Sequence, residues 1–135
     1  MKKTLVFALT AFAAFWFANA VQAQDGDLAA GEKVFKKCKA CHQVGEGAKK
    51  KVGPVLNNVI GAKAGVSEGF KYSAAMVKAG ENGMVWTDEN LQGYLEKPRK
   101  FIPKNKMAFA GLKKPEDRVN VIVYLKQFSE TPPAQ

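Results

Sequence analysis

From Asp27 onward, apolar positions recur at helical spacing in four separate stretches, and nowhere do they alternate long enough to pair as strands. DLAAGEKVFKKCKACH, residues 27–42, sets Leu28, Gly31 and Phe35 on one side of a predicted helix with Asp27 as its N-cap. AAMVKA follows the capping residue Ser73 and is predicted to end at Gly80. DENLQGYLEK follows Thr87, with Asp88 and Glu89 in the first turn, where the helix dipole favours negative charge. Leu91, Tyr94 and Leu95 form its apolar face, and Pro98 stops it. PEDRVNVIVYLKQFS opens on Pro115 and places Val121, Leu125 and Phe128 on one stripe. Between these lie the Gly- and Lys-rich stretch 43–52, the Gly-punctuated stretch 53–65, a turn at Glu81-Asn82-Gly83, and residues 99–114, read as extended loop. The tail TPPAQ is expected to fray. The predicted fold is all-α, with several short helices and much loop.

The first residues follow another pattern. Lys2 and Lys3 precede an uncharged apolar run from Leu5 to Phe17, and two small-x-small sites follow, Ala18-Asn19-Ala20 and Val21-Gln22-Ala23. This is the layout of a secretory signal peptide. A retained membrane anchor is the rival, but the run is short for a span of about 20 residues. Residues 1–23 are therefore read as a leader cut after Ala23, with Ala20 the alternative, and residues 24–135 as one domain. Export from such a leader implies a bacterial periplasm.

The formal net charge is +9, and loss of Lys2 and Lys3 removes only two of those charges. Basicity of this degree points to an anionic partner. Nucleic acid fits poorly, since the chain is exported and carries no basic helix interleaved with stacking aromatics. An acidic protein surface fits better, because net charge steers encounter.

Cys38, Cys41 and His42 include both cysteines and the one histidine of the chain. A thioredoxin-like Cys-x-x-Cys needs a strand–helix context, which is absent here. A disulfide over so short a loop stabilises little. A structural zinc site takes four ligands, and no other Cys or His exists to complete one. What remains is the c-type haem attachment signature Cys-x-x-Cys-His. One helical turn puts both sulfurs on one side, each able to form a thioether, with His42 on the same side as Cys38 and able to aim a ring nitrogen at iron.

With no second histidine, a second axial ligand has to come from Met76, Met84, Met107 or a lysine, unless that side of the iron stays open. Met76 lies in a short amphipathic helix and Met84 beside a turn, both places where methionine commonly fills a core. Met107 lies in the irregular stretch between Pro103 and Gly111, where a loop can present one side chain to a ligand.

Over essentially the whole of residues 24–135 the chain resembles the class I c-type cytochromes, in particular the short bacterial cytochrome c2 and mitochondrial-type group. GEKVFKKCKACH resembles the N-terminal helix and haem motif, VGPVLNNVIG the segment whose proline supports the histidine, and MVWTDENLQGYLEKPRKFIPKNKMAFAGLKK the stretch that ends in the methionine ligand. RVNVIVYLKQF resembles the C-terminal helix. The resemblance implies one covalently bound haem c, with thioethers at Cys38 and Cys41 and axial ligands His42 and Met107. It implies that Pro54 accepts the His42 ring N–H, that Trp86 and Tyr72 bond haem propionates, and that Tyr94 sits near the methionine sulfur. It also implies that Gly31 and Phe35 meet the C-terminal helix near Tyr124. Two positions depart from the pattern: Ala62 stands where mitochondrial relatives carry an arginine, and Asn105 where they often carry a threonine.

A haem with protein ligands on both faces suits the movement of one electron better than binding of oxygen or substrate. The expected activity is a periplasmic carrier, not an enzyme. A haem peroxidase or gas sensor with a labile Met107 is the competing class, though no distal histidine–arginine pair is present. Lys36, Lys37, Lys51, Lys100, Lys106, Lys113 and Lys114 adjoin the segments expected to touch haem. They are read as a docking rim for acidic redox partners. Such partners include a bc1 complex, a terminal oxidase, a photosynthetic reaction centre or a periplasmic dehydrogenase. The carrier is expected to be monomeric, with no nucleic-acid partner and no stable membrane insertion.

Overall fold

A computed structural model describes residues 25–129, so the leader and the TPPAQ tail lie outside the described residues. Five helices follow in order: α1 (Leu28–Phe35), α2 (Ala74–Glu81), α3 (Asp88–Glu96), α4 (Pro98–Phe101) and α5 (Pro115–Lys126). The described residues contain no strand, only an isolated antiparallel bridge between Lys63 and Val85. No helix among them is long and apolar enough to cross a membrane.

Local sequence explains how the helices begin. Asp27 accepts from Ala30 N–H at 2.6 Å, Ser73 from Met76 N–H at 3.2 Å and Thr87 from Asn90 N–H at 3.1 Å. Each cap satisfies a donor that the first turn leaves without an intrahelical partner. In α5, Pro115 supplies a preset φ and Glu116 and Asp117 complement the dipole.

Four boundaries differ from the sequence reading, one of them at the C-terminal helix, read through Ser129, which ends at Lys126 and leaves Phe128 beyond it. The first helix stops at Phe35 rather than running to His42. The N–H groups of Lys36, Lys37 and Cys38 tighten onto the carbonyls three residues back. The Cys41 carbonyl, which a continuing helix would offer to Gly45, accepts instead from Gly53 N–H at 2.9 Å. Another difference is at Pro98, which ends α3 and also starts α4 inside the stretch read as loop. Lys97 before it has left the helical region (φ −149, ψ 82), as a residue before proline tends to, and proline fits the first helical position. Finally, Gly80 lies within α2, where it lets the helix approach the Ala64 carbonyl.

α1 and α5 form the main helix–helix contact. A Cβ on Gly31 would fall on the Asn120 carbonyl oxygen and 2.8 Å from Tyr124 Cβ, so only glycine permits this approach. Phe35 and Tyr124 stack nearby with ring centroids 5.2 Å apart. Phe35, Val121, Ile122, Leu125, Leu91, Ile102 and Leu112 are buried together in the core. Leu28, expected on the inner face of α1, is 46% exposed. The contact with α5 at this end is made instead by Gly26, where a Cβ would lie 2.7 Å from Val123 Cγ2, and by Asp27, whose N–H donates to Asn120 Oδ1 at 2.7 Å.

Candidate functional site

Residues from every helix except α4, and from the loops between them, enclose a cavity of about 590 Å³. That lies within the range of about 300–1,000 Å³ usual for ligand and cofactor sites. Cys38, Cys41, His42, Pro54, Tyr72, Met76, Trp86, Tyr94 and Met107 all line it; Met84 does not.

Cys38 and Cys41 form no disulfide, and both are half-buried. Burial pushes the Cys38 thiol up to about 11, against the opposing pull of Lys37 and with a further push from Cys41. A redox-active cysteine needs the reverse environment, one that favours thiolate. Turn hydrogen bonds position the motif: Cys41 N–H and His42 N–H both donate to the Cys38 carbonyl, at 3.0 and 2.9 Å.

His42 Nδ1 lies 2.8 Å from the Pro54 carbonyl oxygen. A carbonyl can only accept, so Nδ1 carries the proton and Nε2 keeps its lone pair. Burial holds the imidazole below its ordinary pKa, more than the bond to Pro54 raises it. The ring is therefore held neutral, the form that binds metal. Gly53 presses its backbone against the ring, and a Cβ there would lie 2.8 Å from both ring nitrogens. In the sequence Gly53 reads only as punctuation. Its position just before Pro54 was the available signal.

Met107 is half-buried, and the Tyr94 hydroxyl lies 3.9 Å from its sulfur. Tyr94 is buried against Trp86, centroids 4.9 Å apart, and its phenol is pushed up to about 12, chiefly by burial and secondarily by Tyr72. Tyr72 also titrates above its ordinary value because of burial, opposed by hydrogen bonding to Ser67. Ala62 lines the cavity without bringing a charge, and its carbonyl accepts from Trp86 N–H at 2.8 Å.

The donor set fits a haem. A neutral imidazole nitrogen, a thioether sulfur and two thiols line one largely apolar space, with a glycine making room for the ring.

The sequence matches the family model for cytochrome c over residues 28–129. The chain belongs to the cytochrome c family. It is 60% identical to a cytochrome c2 of Afifella marina, over 78% of this chain and 86% of that protein. It is 46% identical to a cytochrome c of Cannabis sativa, over 78% of this chain and 94% of that protein. Among solved structures it resembles cytochrome c2 from Rhodospirillum centenum, with a TM-score of 0.74 and 47% identity over 77% of this chain and 99% of the other. As a cytochrome c it is an electron carrier rather than an enzyme, and its cofactor is covalently bound haem c.

The seven lysines singled out from sequence are all exposed. Lys37 and Lys106 line the cavity, whereas Lys36, Lys51, Lys100, Lys113 and Lys114 do not. Lys37 pairs with Asp117 at 3.5 Å, Lys51 Nζ donates to the Lys39 carbonyl at 3.3 Å, and Lys106 Nζ to the Lys71 carbonyl at 2.9 Å. Sequence reading missed Arg118. It is buried on α5, donates from Nη1 to the carbonyls of Leu112 and Lys113 at 2.7 and 3.1 Å, and sits 4.0 Å from Glu96. An arginine among lysines carries no sequence mark of burial.

Proposed function

We propose that the chain is a periplasmic one-electron carrier that shuttles between membrane or periplasmic redox complexes through a haem ligated by His42 and Met107. The observation that carries this reading is that Cys38, Cys41, His42 and Met107 line one cavity.

When bound, haem c supplies a single Fe(III)/Fe(II) couple. Cys38 and Cys41 tether it as thioethers, so a small exported domain does not lose its cofactor. His42 offers Nε2, because its Nδ1–H is committed to Pro54. Met107 offers a soft sulfur, which in His/Met-ligated cytochromes raises the potential. Tyr94 keeps its proton beside that sulfur, and Trp86 and Tyr72, which line the same cavity, would hydrogen-bond the haem propionates. Apolar lining residues such as Leu56, Leu91 and Leu125 exclude water and lower the local dielectric.

Lys36, Lys37, Lys51, Lys100, Lys106, Lys113 and Lys114 form a basic rim that docks acidic patches of a donor and an acceptor. Fast, weak, salt-sensitive encounters suit a shuttle. The bc1 complex, a terminal oxidase, a photosynthetic reaction centre and a periplasmic dehydrogenase are partners of the right chemistry. Residues 1–23 are removed on export, leaving residues 24–135 as the carrier domain; the intact mass of the exported holoprotein checks this.

Carbon monoxide tests the carrier reading. Added to the reduced holoprotein at neutral pH, it binds slowly or negligibly if Met107 closes the site. Rapid stoichiometric binding would point instead to a gas-binding or peroxidase-type haem.

A further inference from the structure

We infer that Asn105 is the positioning residue that holds Met107 on its iron. This rests on the proposed role of Met107 as a ligand.

Asn105 is an amide side chain only 8% exposed, in a stretch that belongs to no helix. Its burial is explained by three hydrogen bonds. Nδ2 donates to the Pro98 carbonyl at 2.8 Å and to the Ile102 carbonyl at 2.7 Å. Oδ1 accepts from Met107 N–H at 2.8 Å. The orientation of the amide follows from its partners, because the flipped amide would set an oxygen against two carbonyls and a nitrogen against an N–H. The side chain therefore ties the backbone of Met107 to both ends of α4.

Few other backbone hydrogen bonds hold the loop at this point. Lys104 turns the chain with φ 64, a left-handed conformation uncommon for lysine. Beyond Met107, the next backbone N–H bond along the chain among the described residues is Leu112 to Leu95 at 2.7 Å. Lys106 Nζ to the Lys71 carbonyl is an exposed side-chain contact. The tie through Asn105 is the buried one.

The energetics make the effect local. The Pro98 carbonyl also accepts from Ile102 N–H at 3.0 Å, and the Ile102 carbonyl from Asn105 N–H at 3.2 Å. Both carbonyls keep a partner when the amide is removed. The Met107 N–H does not, so the loss falls on the loop that carries the ligand. A threonine at this position has one hydroxyl and cannot make all three bonds.

The test is competition between imidazole and Met107 in the ferric holoprotein. Asn105→Ala and Asn105→Leu, which keeps the branched skeleton without its polar atoms, are both expected to bind imidazole about tenfold more tightly, equivalent to about 1.4 kcal/mol. Asn120→Ala, which removes the acceptor of Asp27 N–H at the α1–α5 contact, is expected to leave imidazole affinity unchanged. Unchanged affinity in both Asn105 variants, or an equal shift in Asn120→Ala, would overturn the inference. Hydrogen exchange of the wild-type holoprotein reads the same tie without a variant: the Met107 amide is expected to be protected, and exchange at the rate of an open amide also overturns the inference. Met107→Ala separates the two proposals. If it leaves the sulfur-to-iron charge-transfer band in place, the ligand reading fails. If it abolishes the band while the Asn105 variants behave as wild type, only the positioning role fails.

Discussion

The Nδ1–H of His42 donates to the carbonyl oxygen of Pro54 at 2.8 Å, across the loop that follows the cysteine motif. The same loop brings Gly53 against the imidazole and returns Gly53 N–H to the Cys41 carbonyl at 2.9 Å. Ring tautomer, ring orientation and the end of the motif's turn are thus set by two adjacent residues. A polar N–H is satisfied inside an apolar cavity, and Nε2 is left with a lone pair to offer.

Gly53→Ala tests this arrangement. The new Cβ overlaps the ring, so either the ring or the loop must shift, at a cost of about 1–3 kcal/mol for an overpacked site. Denaturant unfolding of the holoprotein is expected to show that loss, accompanied by a changed Soret spectrum. Wild-type stability and spectrum together would mean that the loop yields freely and does not orient His42.

Arg118→Leu addresses the far end of the methionine loop. Two carbonyls, of Leu112 and Lys113, lose a charged donor held at 2.7 and 3.1 Å. Hydrogen bonds to charged groups are worth about 1.5–3 kcal/mol each, so a total loss of about 3–6 kcal/mol is expected in denaturant unfolding. A change below half a kilocalorie, roughly the scatter of surface substitutions, would place the arginine among surface charges.

Tyr94 links stability to alkaline pH. Burial raises its phenol from 10.0 to about 12 in the folded protein. A folded pKa above the unfolded one gives a contribution fully present below pH 10.0 and lost as pH climbs through about 12. Tyr94→Phe is expected to flatten the stability curve across that interval. It also removes a hydroxyl 3.9 Å from the Met107 sulfur. That donor withdraws electron density from the sulfur, so its loss is expected to lower the reduction potential. A potentiometric titration showing a raised potential would contradict this.

Reversing charge at Lys37, Lys106 and Lys113 together tests the basic rim. Electron transfer with an acidic partner is expected to slow most at low ionic strength and to approach the wild-type rate as salt screens the charges. Rates reduced equally at all ionic strengths would argue against electrostatic docking through these positions.

Much of this was legible because the signals are local. Asp27, Ser73 and Thr87 each cap the helix they precede, and α3 and α5 follow from apolar spacing and a first turn rich in acid. Cys38, Cys41 and His42 announce their chemistry within five positions. The features that escaped depend on distant partners. α1 ends at Phe35, where the N–H groups of Lys36, Lys37 and Cys38 tighten onto carbonyls three residues back, and the Cys41 carbonyl beyond them is taken by Gly53, which periodicity cannot register. Pro98 reads as a stop, yet in context it both stops one helix and starts the next. Asn105 reads as a departure from the family pattern, whereas its side chain is engaged with α4 and Met107. Arg118 reads as one more surface cation until the 112–113 carbonyls are seen beside it.

Met107 is proposed to close the iron site opened by the cysteine–histidine motif. The most direct measurement is the ferric absorption spectrum of Met107→Ala beside that of the wild type. The wild type is expected to show a weak sulfur-to-iron charge-transfer band, and Met107→Ala to lose it and to have a lowered reduction potential. A band that persists unchanged in Met107→Ala would contradict this assignment and move the ligand to another residue of the cavity, Met76 first among them.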